Sequence, residues 1–70
     1  MTNCELQFRT VFGADIYYQN LTKTLSGTTA TIHRSGCWVS FSGPMKRAGV
    51  AREAERLIRI GQVSYAFVWW

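Results

Sequence analysis

The stretch GPMKRAGVAREAERLIRIG, residues 43–61, decides the fold because it is the one segment with clear helical periodicity. Ser42, Gly43 and Pro44 are typical of a helix cap and first turn, and Gly61 is typical of a helix end. The apolar residues of this segment fall within a single arc of about 120°. They are Val50, Ala51, Ala54, Leu57 and Ile58. We therefore predict an amphipathic helix that buries this arc.

The first half of the chain predicts strands. Residues 3–12 alternate, with Cys4, Leu6, Phe8 and Phe12 on the apolar side. The segment 13–15 is a turn signal, and IYYQNL, residues 16–21, is either a short strand or an irregular crossing.

Two further strands are predicted just before the helix. Residues 28–34 are rich in β-branched side chains, and residues 37–42 alternate in polarity. Ser35 and Gly36 between them indicate a tight hairpin, since glycine tolerates the positive φ of such a turn. Cys37, Val39 and Phe41 should face the core, and Trp38 should then point to the opposite side.

The closing run, residues 62–70, alternates again. Val63, Tyr65, Phe67 and Trp69 share the more consistently apolar side, whereas Trp70 shares the side that begins with polar Gln62. We therefore expect Trp69 in the core and Trp70 on the outer face.

Together these segments predict one α+β domain spanning residues 1–70. It consists of a small antiparallel sheet of three to five strands with one helix packed on one face, in the chain order β-β-β-(β)-α-β. The length of 70 residues is enough for a single core, and 47% of the residues are apolar.

The residues that usually perform catalysis or bind metal are scarce. His33 is the single histidine, Cys4 and Cys37 lie in different segments, and Glu53 and Glu55 point to different sides of the helix. A zinc site or a carboxylate pair needs such groups at short, regular spacing. We expect no enzyme activity, no metal and no cofactor.

Neither a signal segment nor an apolar run of the roughly 20 residues needed to cross a bilayer is present in the sequence. The expectation is a cytoplasmic protein with reduced cysteines and no membrane partner.

The whole chain has a formal net charge of +4. Its positive charge is concentrated in the second half of the sequence. Lys46 and Arg47 in the first turn of the helix, with Arg52, form a candidate anion site, because free N–H groups there also attract anions. The alternative is that Lys46 and Arg47 simply extend into water. Arg52, Arg56 and Arg59 follow one face of the helix at spacings of four and three.

The aromatic content of 14% is too high for so small a core to bury completely. The uncovered face of the sheet could hold Trp38, one of Tyr17 and Tyr18, and one terminal tryptophan. Exposed tryptophan, tyrosine and arginine are typical anchors of protein interfaces. The alternatives are a homodimer that buries the same face and a sheet edge that the protein covers with its own loops.

In organisation, the short chain of strands, the single helix at residues 43–61 and the aromatic closing strand resemble small phage and mobile-element accessory proteins, including anti-CRISPR proteins. The resemblance implies a non-enzymatic inhibitor or adaptor whose partner is a host protein or ribonucleoprotein complex. It would occupy a nucleic-acid-binding or subunit-docking surface of an RNA-guided defence complex. A small basic nucleic-acid-binding protein is the alternative. The predicted partner-binding residues are Lys46, Arg47, Arg52, Arg56, Arg59, Trp38 and Trp70.

Overall fold

A computed structural model of the protein describes residues 1–69. Its sheet has the strand order β2-β3-β1-β4, and every neighbouring pair is antiparallel. This order, with the connectivity β-α-β-β-α-β, is the split βαβ or ferredoxin-like arrangement. The α+β class is therefore confirmed. The elements are β1 (Thr2–Phe8), α1 (Val11–Thr24), β2 (Thr31–Ser35), β3 (Trp38–Gly43), α2 (Arg47–Arg59) and β4 (Val63–Trp69).

Helix α1 corrects the prediction of a single helix. The first strand ends at Phe8. Residues 13–15, predicted as a turn, and residues 16–21, predicted as a short strand or an irregular crossing, are helical. Thr10 has extended backbone and its side chain accepts a hydrogen bond of 3.0 Å from the Gly13 N–H, so it caps the helix. Phe12, predicted to face the core, is 83% exposed on this helix. The sequence of α1 lacks a strong apolar stripe. Accordingly, Ala14 is the only residue of α1 that is fully buried.

Helix α2 confirms the predicted amphipathic segment, although it begins at Arg47 rather than near Pro44. Val50, Ala54 and Leu57 are buried, as predicted, and Ala51 is half-buried. Ile58 was predicted in the same arc but is 49% exposed, because it lies at the edge of the stripe. The helix ends where Gly61 adopts a φ of +78°, a conformation that glycine tolerates without strain.

The predicted hairpin between β2 and β3 is present, but its turn consists of Gly36 and Cys37 rather than Ser35 and Gly36, because Ser35 still pairs with Trp38. Gly36 has a φ of +61°. Val39 and Phe41 are buried, Cys37 packs against the core, and Trp38 points to the opposite face. Strand β2 begins at Thr31, three residues later than predicted.

Strand β4 corrects the prediction for Trp69. Val63 is buried opposite Phe8, but Gln7 pairs with Tyr65, so the register shifts by one residue and Ser64 forms a bulge. Beyond it, Ala66 and Val68 pack against the core, whereas Trp69 lies on the outer face and is 38% exposed. Trp70 lies outside the described residues.

Both helices cover the same face of the sheet. α1 packs mainly against β2, and α2 packs mainly against β4. The core lies between these layers and consists of Cys4, Leu6, Phe8, Ala14, Val39, Phe41, Val50, Ala54, Leu57 and Val63. The other sheet face is left without a covering element within residues 1–69. In that part of the chain, neither helix is long and apolar enough to cross a membrane.

Candidate functional site

The uncovered sheet face consists of alternate residues from all four strands, and we call it the outer face. Because side chains alternate along a strand, the residues between the core positions all project to this side. The outer face comprises Asn3, Glu5 and Gln7 of β1, Thr31, His33 and Ser35 of β2, Trp38, Ser40 and Ser42 of β3, and Tyr65, Phe67 and Trp69 of β4.

Four aromatic side chains lie on the outer face, three along the edge strand β4 and Trp38 at the start of β3, and we call them the aromatic row. The rings of Trp38 and Tyr65 meet edge to face with centroids 5.7 Å apart. The rings of Phe67 and Trp69 are stacked with centroids 5.2 Å apart. Each of the four side chains is between 38% and 53% exposed. Large rings that are held in fixed mutual contact but remain half open to water are typical of interface anchors.

Glu5 lies in the middle of the outer face. It is opposite Ser40 on one side and Phe67 on the other. Its carboxylate has no hydrogen bond or ion pair with any residue from 1 to 69. No outer-face position holds a lysine or an arginine. Beside Glu5 is a hollow of about 300 Å³, whose walls include His33, Ser40 and Trp69.

The predicted basic residues lie on the other side of the molecule. Lys46 immediately precedes α2, and its side chain makes no capping hydrogen bond. Arg56 donates two hydrogen bonds, of 2.8 and 3.0 Å, to Glu53, and these bonds raise the pKa of Arg56. Arg52 and Arg59 line a shallow hollow together with the carboxylates Glu53 and Glu55. The remaining predicted basic residue, Arg47, is the first residue of α2.

Among residues 1–69, the structure therefore separates the predicted partner-binding residues into two groups. The basic residues belong to the helical layer, and Trp38 belongs to the outer face. Tyr17 and Tyr18 do not join Trp38 there, because both lie on α1 and pack against the core. Sequence reasoning missed the outer-face placement of Trp69, which depends on the bulge at Ser64.

A groove of about 510 Å³ between α1 and α2 is a second concave feature that the sequence did not reveal, because α1 was not predicted. Its floor is apolar and includes Phe41 and Met45. The Tyr17 hydroxyl donates a hydrogen bond of 3.2 Å to Glu53 at this groove. Burial is the main cause of the raised pKa of Tyr17, and the neighbouring Glu53 adds to it.

The other groups with reactive side chains lie apart. Burial, with smaller contributions from the charges of Glu5 and Glu53, raises the pKa of the Cys4 thiol to about 12, which disfavours the nucleophilic thiolate. Cys37 is half-buried, and neither cysteine forms a disulfide. Within residues 1–69, no cluster of three or more His, Cys, Asp or Glu side chains could hold a metal ion.

Protein-family models, curated protein sequences and solved structures were compared with this chain, and none matches it significantly.

Proposed function

We propose that the protein is a non-enzymatic binding protein whose outer face docks onto another protein. The observation that supports this most directly is the aromatic row, four half-exposed rings on a sheet face that no helix within residues 1–69 covers. Exposed apolar surface of this kind is costly in water unless a partner removes it. The neighbouring polar residues Asn3, Gln7 and Ser42 supply the hydrogen-bonding groups that interfaces contain around an apolar anchor.

The partner we propose is a host ribonucleoprotein of an RNA-guided defence system, which the protein would inhibit by occupying a docking surface. The short chain and its surface rich in anchor residues support a role in blocking rather than in catalysis. The competing proposal, direct binding to nucleic acid, would use the basic residues of the helical layer. The pairing of Arg56 with Glu53 weakens that alternative, because it neutralises one of the cations.

The test measures binding to purified RNA-guided effector complexes and inhibition of their DNA cleavage. Phe67→Ser removes a 53% exposed ring from the outer face, and Phe12→Ser makes the same chemical change at an 83% exposed ring on α1. We expect Phe67→Ser to lose binding and inhibition and Phe12→Ser to retain both. Circular dichroism of both variants verifies that they are folded.

Three results would overturn the proposal. In the first, wild-type protein neither binds nor inhibits the complexes. In the second, Phe12→Ser loses activity while Phe67→Ser keeps it, which would move the site to the helical layer. In the third, sedimentation shows a stable dimer that Phe67→Ser dissociates, which would mean that a second copy covers the outer face. A gel shift with free DNA or RNA that weakens steeply with salt would instead support the nucleic-acid alternative.

A further inference from the structure

We infer that the outer face recognises its protein partner through an arginine or lysine side chain, which binds against Glu5 beside the rings of Phe67 and Trp69. This inference rests on the proposed function and specifies the chemistry of the partner. Its basis is the combination of an unpaired carboxylate, adjacent aromatic rings and a hollow at one place on the sheet.

Charge is the first reason. The chain as a whole has a net charge of +4, yet the outer face has one carboxylate and no lysine or arginine. Two other carboxylates have cationic neighbours, since Asp15 pairs with Arg34 at 3.6 Å and Glu53 pairs with Arg56 at 2.8 Å. Glu5 has none among residues 1–69 and is half-buried. A cation from a partner would therefore gain a charge-assisted hydrogen bond in a site shielded from some of the water.

The aromatic rings are the second reason. Phe67 is directly opposite Glu5, and residues opposite one another on antiparallel strands have Cβ atoms about 4.5–5.5 Å apart. Trp69 stacks on Phe67 and forms a wall of the hollow that includes Glu5. A guanidinium or ammonium group can thus contact a ring and the carboxylate at once, which is the arrangement that cation–π recognition uses.

The volume of the hollow fits such a group. It measures about 300 Å³, roughly ten times the share of liquid volume of one water molecule. The Ser40 hydroxyl on its wall is a further acceptor for a donor-rich guanidinium. A nucleic acid fits this face less well, because bases stacked on the rings would bring phosphates toward Glu5, and no outer-face cation would neutralise them.

The experiment uses the whole protein, labelled with nitrogen-15, and a short glycine-serine peptide containing one arginine. The control peptide carries citrulline instead, which has nearly the same shape but no charge. We expect the arginine peptide to shift the amide resonances of Glu5, Ser40 and Phe67, and the citrulline peptide to leave them in place. Glu5→Gln should raise the dissociation constant about threefold to tenfold, the range for a partly shielded ion pair.

Glu55→Gln is the matched control variant, because it removes the same charge from the exposed side of α2. It should leave the dissociation constant unchanged. Equal binding of the two peptides, equal weakening by both variants, or shifts confined to the helices would overturn the inference. So would a short oligothymidylate that shifts the same outer-face amides.

The failure of this inference can be distinguished from failure of the proposed function. If Phe67→Ser abolishes binding to the effector complex but Glu5→Gln leaves it intact, the docking face stands and the cation site is wrong. Self-association that Glu5→Gln abolishes would also overturn the inference, because the bound cation would then come from a second copy.

Discussion

The Tyr17 hydroxyl donates a hydrogen bond of 3.2 Å to the Glu53 carboxylate, and this contact joins α1 to α2. Glu53 also accepts two hydrogen bonds from Arg56, one turn further along α2. The two helices are otherwise separated by the groove that Phe41 and Met45 line. The contact therefore holds together two helices that pack mainly on opposite edges of the sheet.

Replacing Tyr17 by Phe should lower the free energy of unfolding by about 0.5–1.5 kcal/mol, the usual net value of one hydrogen bond. Tyr18→Phe is the matched control, since its hydroxyl has no hydrogen bond within residues 1–69. Urea unfolding of both variants measures the difference. If Tyr18→Phe lowered the free energy of unfolding as much as Tyr17→Phe, the hydrogen bond between Tyr17 and Glu53 would not be the cause of the stabilisation.

The free energy of unfolding should fall in acid, because the Glu53 carboxylate becomes protonated. The hydrogen bond from Arg56 is the main cause that lowers the pKa of Glu53 below its ordinary value of 4.5. The folded state therefore binds this proton less readily than the unfolded state. The resulting stabilisation is present above the unfolded pKa and is lost as pH falls below about 4.5 toward the folded pKa.

Urea unfolding across this pH range checks the acid effect. Glu53→Gln should flatten the loss of stability in acid, and Glu55→Gln should leave the curve closer to wild type. Curves of the same slope for wild type and Glu53→Gln would contradict the role of this carboxylate.

Gly49→Ala should raise the free energy of unfolding by about 0.5–1 kcal/mol, because Gly49 lies in α2 and alanine favours helix. A Cβ atom at Gly49 would meet no atom of another element within 4 Å in the described part of the chain. At Gly43 a Cβ would lie 2.8 Å from the Cβ of Ala30, so Gly43→Ala should destabilise the protein. Thermal melts of the two variants should shift in opposite directions. An unchanged or raised melting temperature of Gly43→Ala would contradict the packing at the end of β3.

Leu57→Ala should cost about 2–5 kcal/mol of stability, because Leu57 is only 2% exposed. Ile58→Ala, one residue further along the same helix, should cost much less, since that side chain is half-exposed. Chemical denaturation of both variants tests which side of α2 faces the core. Similar losses at the two positions would mean that Ile58 is buried as well.

Local sequence patterns were sufficient to predict a helix or strand and its buried side wherever one face of the element is apolar and the other is polar. The stripe of Val50, Ala54 and Leu57 predicted α2. The alternation of apolar and polar positions in residues 37–42 predicted β3 and its outward Trp38. Helix α1 was not predictable in this way. Its exposed Phe12 and Ile16 give it apolar residues on the solvent side, so no single stripe marks the buried face.

The sequence by itself determined the α+β class, the orientation of β3 and the basic character of α2, since each follows from residue order within one segment. Only the tertiary structure decided which side of β4 faces outward. The bulge at Ser64 arises where β4 pairs with β1, and one extra residue reverses every side chain beyond it. Tyr65, Phe67 and Trp69 thereby leave the side of Val63 and meet Glu5 and Trp38 on the outer face. These contacts depend on the pairing of β1 with β4, which are far apart in the sequence, so no local sequence pattern predicts them.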